Sequence, residues 1–92
     1  MGSNDDKDMT EKRGRALYRA VHRGTREMDF LLGKFAEASV PQMDGAELVA
    51  FEELLAVPDP ELAGALIDEV GEFSDEMEAL LERIRQFHRD KK

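Results

Sequence analysis

Thr25-Arg26-Glu27-Met28-Asp29-Phe30-Leu31-Leu32-Gly33-Lys34-Phe35 carries the pattern that decides the fold. Met28, Leu31, Leu32 and Phe35 recur at i, i+3, i+4 and i+7, which is one face of an α-helix. Thr25 is a helix-starting residue, and Glu27 puts an acid at the positive end of the helix dipole. The spacing predicts a helix over 26–38 that stops ahead of Pro41. Upstream, Leu17, Ala20, Val21 and Gly24 repeat the same spacing. A helix over 11–23 is expected, capped by Thr10 and broken at Gly24, with 1–9 as a polar, flexible lead-in.

The same punctuation continues downstream. Asp44 and Glu47 form a capping-box pattern ahead of Leu48, Phe51 and Leu55, and Pro58 ends that helix. Asp59-Pro60 reads as a cap followed by proline at the first helical position. Leu62, Leu66 and Val70 would then face inward, and Gly71 would close the helix. Ser74 caps the last helix, whose stripe is Met77, Leu80, Leu81, Ile84 and Phe87 or His88. No alternating run bounded by turns competes with this reading. The expected fold is all-α, a compact bundle of about five short helices forming one domain over 10–90.

Composition limits what such a bundle can do. A chain of 92 residues buries roughly 60–65% of its unfolded surface. That permits one modest core but no deep substrate cavity. Cysteine is absent, which excludes disulfides and cysteine-based metal sites. No apolar run approaches the roughly 20 residues of a membrane span. The polar N-terminus has the character of neither a secretory signal nor a mitochondrial transit peptide. The expected location is the cytoplasm of a bacterium, with a processed protein of the mitochondrial matrix as the alternative.

The net charge of −8 is unevenly distributed. Residues 1–34 carry eight Lys/Arg and six Asp/Glu; residues 35–82 carry fourteen acids and no Lys or Arg; residues 83–92 carry five bases and one acid. A basic first element, an acidic middle and a basic tail result. Nucleic acid is a poor match, because the six Lys/Arg from Lys12 to Arg26 sit in a chain of pI about 4.7. The charged surface opposes self-association, so a monomer is expected.

Candidates for chemistry are few. His22 and His88 are the only histidines, and neither pairs with a serine or carboxylate at a nucleophile–base spacing. The simpler reading makes both partly exposed helical histidines. The glycines are isolated and form no phosphate loop. Glu52-Glu53, Asp68-Glu69 and Asp75-Glu76 read as solvated helix faces. The corner Arg23-Gly24-Thr25-Arg26-Glu27 is the most structured motif. Read as punctuation, Gly24 ends one helix, Thr25 caps the next and Glu27 sits in its first turn. Read as a site, Arg19, His22, Arg23 and Arg26 surround a residue with no side chain, which suits close approach of another surface.

Residues 17–35 resemble the FAD assembly factor family of succinate dehydrogenase. That family is marked by an R-G-x-x-E motif followed by an apolar helix, here Arg23-Gly24-x-x-Glu27 followed by Asp29, Leu31, Leu32 and Phe35. Phe51-Glu52-Glu53-Leu54-Leu55 with Asp59-Pro60-Glu61-Leu62 is similar to its second signature. The resemblance covers roughly 11–88. It departs at Ala65, near which the family often has a tryptophan, and at His22, where it often has a second basic residue.

The resemblance implies a small helical bundle that binds the flavoprotein subunit of succinate dehydrogenase, and in bacteria that of fumarate reductase. Such a protein promotes covalent attachment of FAD to a histidine of that subunit. It implies no catalytic residue, no metal and no stably bound cofactor in this chain, FAD being the client's. It points to Arg23, Gly24, Glu27, Arg19, His22, Arg26 and Asp29 as partner-binding residues. Arg23 would act as a charged donor, Gly24 as the close-approach point and Glu27 as an acceptor. A helical adaptor with an unrelated target is the alternative.

Overall fold

A computed structural model describes residues 3–90, with side chains from residue 8 onward. Five α-helices follow in chain order: α1 (Ser3–Val21), α2 (Arg26–Ser39), α3 (Gly45–Leu55), α4 (Asp59–Ala63) and α5 (Asp75–Asp90). A single 3₁₀ turn (Val40–Gln42) joins α2 to α3, and α4 runs on into a π-helical turn (Gly64–Asp68). There is no strand among the described residues. The all-α reading is therefore correct.

The caps act largely as their residue types dictate. The Thr25 hydroxyl accepts from the Met28 amide at 3.2 Å, starting α2. Asp44 and Glu47 close the capping box, with Glu47 N to Asp44 Oδ1 at 2.8 Å and Asp44 N to Glu47 Oε1 at 3.0 Å. Ser74 Oγ accepts from the Met77 amide at 3.2 Å ahead of α5. Each such cap stabilises its helix by about 1 kcal/mol.

Three local expectations need correction. Helix α1 begins at Ser3, well before Thr10, because no proline or glycine between residues 3 and 13 stops a helix from propagating upstream. Asp59 does not cap α4: the cap position belongs to Pro58, no side-chain cap bond forms, and the Asp59 carboxylate is engaged elsewhere. Val70 is 58% exposed instead of facing inward. The π turn supplies the reason. The Gly64 carbonyl accepts from the amides of Glu69 and Val70, Glu69 turns left-handed at φ 58°, and the helix is finished before Val70 is reached. Gly71, at φ 110°, lies in the loop beyond.

The core lies where the helical stripes converge. Leu32, Phe35 and Ala36 of α2 meet Leu48, Phe51 and Leu54 of α3 and Leu80, Leu81 and Ile84 of α5, all buried. Phe35 is the hub, with the Phe51 and Phe87 rings 5.9 and 5.8 Å away. Such tilted and edge-on pairs add about 0.5–1.5 kcal/mol each beyond the burial itself. Helix α1 packs through Ala16 and Ala20 against α2 and α3. Small residues there let the backbones come close: a Cβ built on Gly33 would lie 2.9 Å from the Val21 side chain. This tight crossing fixes where α1 ends relative to the start of α2, and so positions the corner between them.

Candidate functional site: the corner between α1 and α2

The corner spans the four residues from His22 to Thr25 and opens into the first turn of α2. Arg23 is its anchor. Its side chain is only 11% exposed, and the guanidinium reaches across to the turn between α3 and α4. Nε and Nη2 donate to Asp59 Oδ1 at 2.9 and 2.7 Å, Nη2 also donates to the Val57 carbonyl at 2.8 Å, and Nη1 donates to the Leu55 carbonyl. The two carbonyls belong to the end of α3 and the loop after it. Arg23 thus supplies donors to groups that a helix end leaves unsatisfied, and does so with the planar fork that lysine lacks.

Asp29 completes the anchoring from the other side. Its Oδ1 accepts from the Arg23 amide at 2.6 Å, while its own amide donates to the Thr25 carbonyl at 2.9 Å. The backbone of the corner is therefore held at both flanks. Gly24 lies between, exposed, at φ 110°. A Cβ added there would meet nothing within 4 Å, so conformation and not space demands glycine.

Around this fixed backbone the remaining side chains face solvent. Arg19, His22, Arg26 and Glu27 are all exposed. Arg19, Arg26 and Glu27 make no hydrogen bond or ion pair with any described residue. His22 Nδ1 donates to the Tyr18 carbonyl at 2.8 Å, and its ring stacks on that of Tyr18 with centroids 4.0 Å apart. That bond occupies Nδ1, and Nε2 bonds no described residue. Tyr18 is itself 63% exposed. A shallow, open depression lies over His22, Gly24, Thr25, Arg26 and Asp29.

Of the seven residues expected at the site, His22, Gly24, Arg26 and Asp29 line this depression, Arg19 and Arg23 border His22 in the neighbouring one, and Glu27 is exposed on the first turn of α2. The Arg23 guanidinium and Asp29 Oδ1 are engaged with the chain itself, although Asp29 also borders the open depression. Two further residues, Asp59 and Tyr18, belong to the corner. Asp59 is 36 residues from Arg23, a separation at which no spacing rule applies. Tyr18 lies one helical turn before His22, an i, i+4 relation that was readable. Ala65, where the resemblance fails, is fully buried, and its carbonyl accepts from Arg85 Nε and Nη2 at 3.1 and 2.8 Å.

No group of three or more potential ligands is placed to hold a metal ion among the described residues. What the corner offers chemically is a rigid backbone at Gly24, one free carboxylate, two free guanidinium groups and an imidazole, arrayed for contact with another polar surface. Fold and corner together define a class: a small helical bundle that presents a braced, charged corner.

The family model described as the flavinator of succinate dehydrogenase matches residues 14–88, and the chain belongs to that family. It is 46% identical over 55 residues to the FAD assembly factor SdhE of Acetobacter pasteurianus, covering 60% of this chain and 50% of that protein. It is 28% identical over 86 residues to the mitochondrial succinate dehydrogenase assembly factor 2 of Dictyostelium discoideum, covering 94% of this chain and 60% of the relative. The protein of the same name from Caenorhabditis briggsae is 46% identical over 44 residues, 48% of this chain and 36% of that one. The chain thus spans between about a third and three-fifths of the length of these relatives. The resemblance read from residues 17–35 and 51–62 is correct at the level of the family.

Proposed function

We propose that this chain is an assembly factor that binds the flavoprotein subunit of succinate dehydrogenase, and in bacteria that of fumarate reductase, and promotes covalent attachment of FAD to it. The observation that carries the reading is the position of the braced corner inside the family match over 14–88. The name of the Acetobacter relative, FAD assembly factor, supports the same activity.

The chain acts as a chaperone and leaves the bond-forming chemistry to the client. Its contribution is to hold the client's flavin site in a reactive arrangement, which lowers the barrier by positioning. Gly24 is the point of closest approach. Glu27 accepts a hydrogen bond from the client, and charge-assisted bonds of that kind are about twice as strong as neutral ones. Arg19, Arg26 and His22 meet client carboxylates or carbonyls. Arg23 and Asp29 act one layer down, keeping Gly24 and Glu27 in register. The factor works as a monomer and holds no cofactor of its own.

Among its relatives are one bacterial and several mitochondrial proteins, and no helix of the described chain is long and apolar enough to cross a membrane. We assign it to the bacterial cytoplasm, with the mitochondrial matrix as the corresponding place in a eukaryote.

The test is flavin fluorescence on the denatured flavoprotein band, from cells with and without this gene. Fluorescence that stays bound under denaturing conditions should fall sharply without the gene and return when it is restored. Equal fluorescence in the two strains would defeat the proposal.

A further inference from the structure

Phe30 breaks the helical pattern of α2. The apolar stripe of that helix is Met28, Leu31, Leu32 and Phe35, and Phe30 stands outside it on the polar face. It is 55% exposed. A large aromatic on the solvent side of an amphipathic helix contributes little to the core. Its ring leans on His88 with centroids 5.6 Å apart, and His88 in turn meets Phe87 edge-on at 5.1 Å. His88 is not free to swing away, since its Nε2 donates to the Leu31 carbonyl at 2.8 Å. Phe30, Lys34, Glu37 and Ala38 of α2 and Phe87 and His88 of α5 thereby enclose an open, mainly apolar groove of about 470 Å³.

The groove continues the corner. Glu27, Phe30, Lys34 and Glu37 follow one another at i, i+3, i+7 and i+10, so they form a single stripe along α2. At 1.5 Å per residue the stripe is about 15 Å long. A client surface that reaches Glu27 at one end therefore passes directly over Phe30 one turn on. The sequence of surfaces is charged corner, then exposed aromatic, then groove. That is the usual anatomy of a protein interface, in which one apolar anchor fills a pocket beside polar contacts.

We infer that the groove beside Phe30 is a second anchor point of the client interface, receiving an apolar side chain of the same flavoprotein segment that contacts Glu27. The inference rests on the proposed function, and it adds a residue to the binding surface that no motif marks.

The test uses the purified, flavin-free flavoprotein subunit of succinate dehydrogenase and the full chain. Dissociation constants are compared for the parent, Phe30→Ala, Ala38→Arg and Glu27→Ala. Ala38 is exposed on the groove, so arginine there fills the groove without disturbing the core. It serves if Phe30→Ala unfolds. Thermal melts show which variants are folded, and sedimentation of each shows its oligomeric state.

Both groove variants should bind at least tenfold more weakly while remaining folded. If the parent binds and Glu27→Ala weakens it, but a folded groove variant binds within twofold of the parent, the groove is not an anchor. The corner reading would survive that result. If the parent does not bind the flavoprotein, both proposals fall. If the parent sediments as a dimer that Phe30→Ala dissolves, the occupant is a second copy of this chain and the inference is overturned.

Discussion

The Arg23-Gly24-x-x-Glu27 motif divides its labour between two layers. Arg23 binds the chain, and Glu27 is left for something else. Removing each should therefore have a different signature. Arg23→Ala strands Asp59 and the Leu55 and Val57 carbonyls, and leaving partly buried acceptors unsatisfied costs about 1–3 kcal/mol. Urea unfolding should show that loss, and Arg23→Lys should restore only part of it, because one ammonium cannot match three acceptors in the plane of the fork. Full stability in Arg23→Ala would mean that the clamp is ornamental. Glu27→Ala removes only a first-turn acid, worth about 0.3–1 kcal/mol. It should stay folded yet abolish covalent flavin on the client. Gly24→Arg should lose flavinylation as well: its φ of 110° imposes about 1–3 kcal/mol of strain, and the new side chain covers the approach point. A folded Glu27→Ala protein with full flavinylation would reduce the corner to helix punctuation. The motif was legible as a motif because its residue types and spacing are local. Its division into a clamp and a contact was not. Arg23 and Asp59 stand in separate signatures of the sequence, and only the folded chain brings the corner after α1 against the start of α4.

Helices were legible wherever their signals were local. The boundaries of α2, α3 and α5 follow from Thr25, the Asp44–Glu47 box and Ser74, whose side chains bond within three residues. Segment 59–70 was misread beyond its first turns for a physical reason. Periodicity at 3.6 residues placed Leu62, Leu66 and Val70 on one face, but a π turn inserts extra chain and rotates everything after it. Leu62 is buried, Leu66 half-buried and Val70 exposed, which traces that rotation along the segment. The turn ends at Glu69, a non-glycine residue at φ 58° and ψ 39°. Such a residue gives up stability that glycine would keep, and its ion pair with Arg89 is a 3.9 Å contact between exposed groups. Pairs of that kind contribute about 0–1 kcal/mol. Glu69→Gly should therefore raise stability by about 0.5–1 kcal/mol, since glycine is the usual residue at a left-handed helix stop. For a domain of this size that is a gain of roughly 2–8 °C in Tm, read by circular dichroism at 222 nm. A fall in Tm would show that the Arg89 contact, or glycine's extra freedom in the unfolded chain, outweighs the backbone strain.

At the scale of the molecule, the uneven charge of the sequence becomes a directed field. The acidic middle is partly neutralised by the basic residues of α5: Arg83 reaches Glu47 at 3.5 Å, Arg85 reaches Glu82 at 3.0 Å, and Arg89 reaches Glu82 at 3.6 Å. On α1, Arg15 reaches Glu52 at 3.7 Å. Arg19 and Arg26 are different, being exposed and unpaired beside the one corner whose backbone is braced. In a chain of net charge −8 they are unpaired positive charges on either side of His22, and exposed charges of that kind orient an approaching surface more than they tighten the final complex. The effect should appear in the association rate. Stopped-flow or surface-based kinetics with the purified flavoprotein should show the parent associating more slowly as salt rises, because the screening length contracts from about 30 Å at 0.01 M to about 10 Å at 0.1 M. Reversing both charges, Arg19→Glu with Arg26→Glu, should slow association at low salt by about tenfold or more. Its salt dependence should then flatten or change sign, since added salt would screen a repulsion instead of an attraction. Dissociation should change less than association, since exposed charges at the rim of an interface act mainly on encounter. A double variant that associates as fast as the parent at every salt concentration would make these two arginines a solvated face, and would leave Glu27 and Gly24 to carry recognition at the corner without steering.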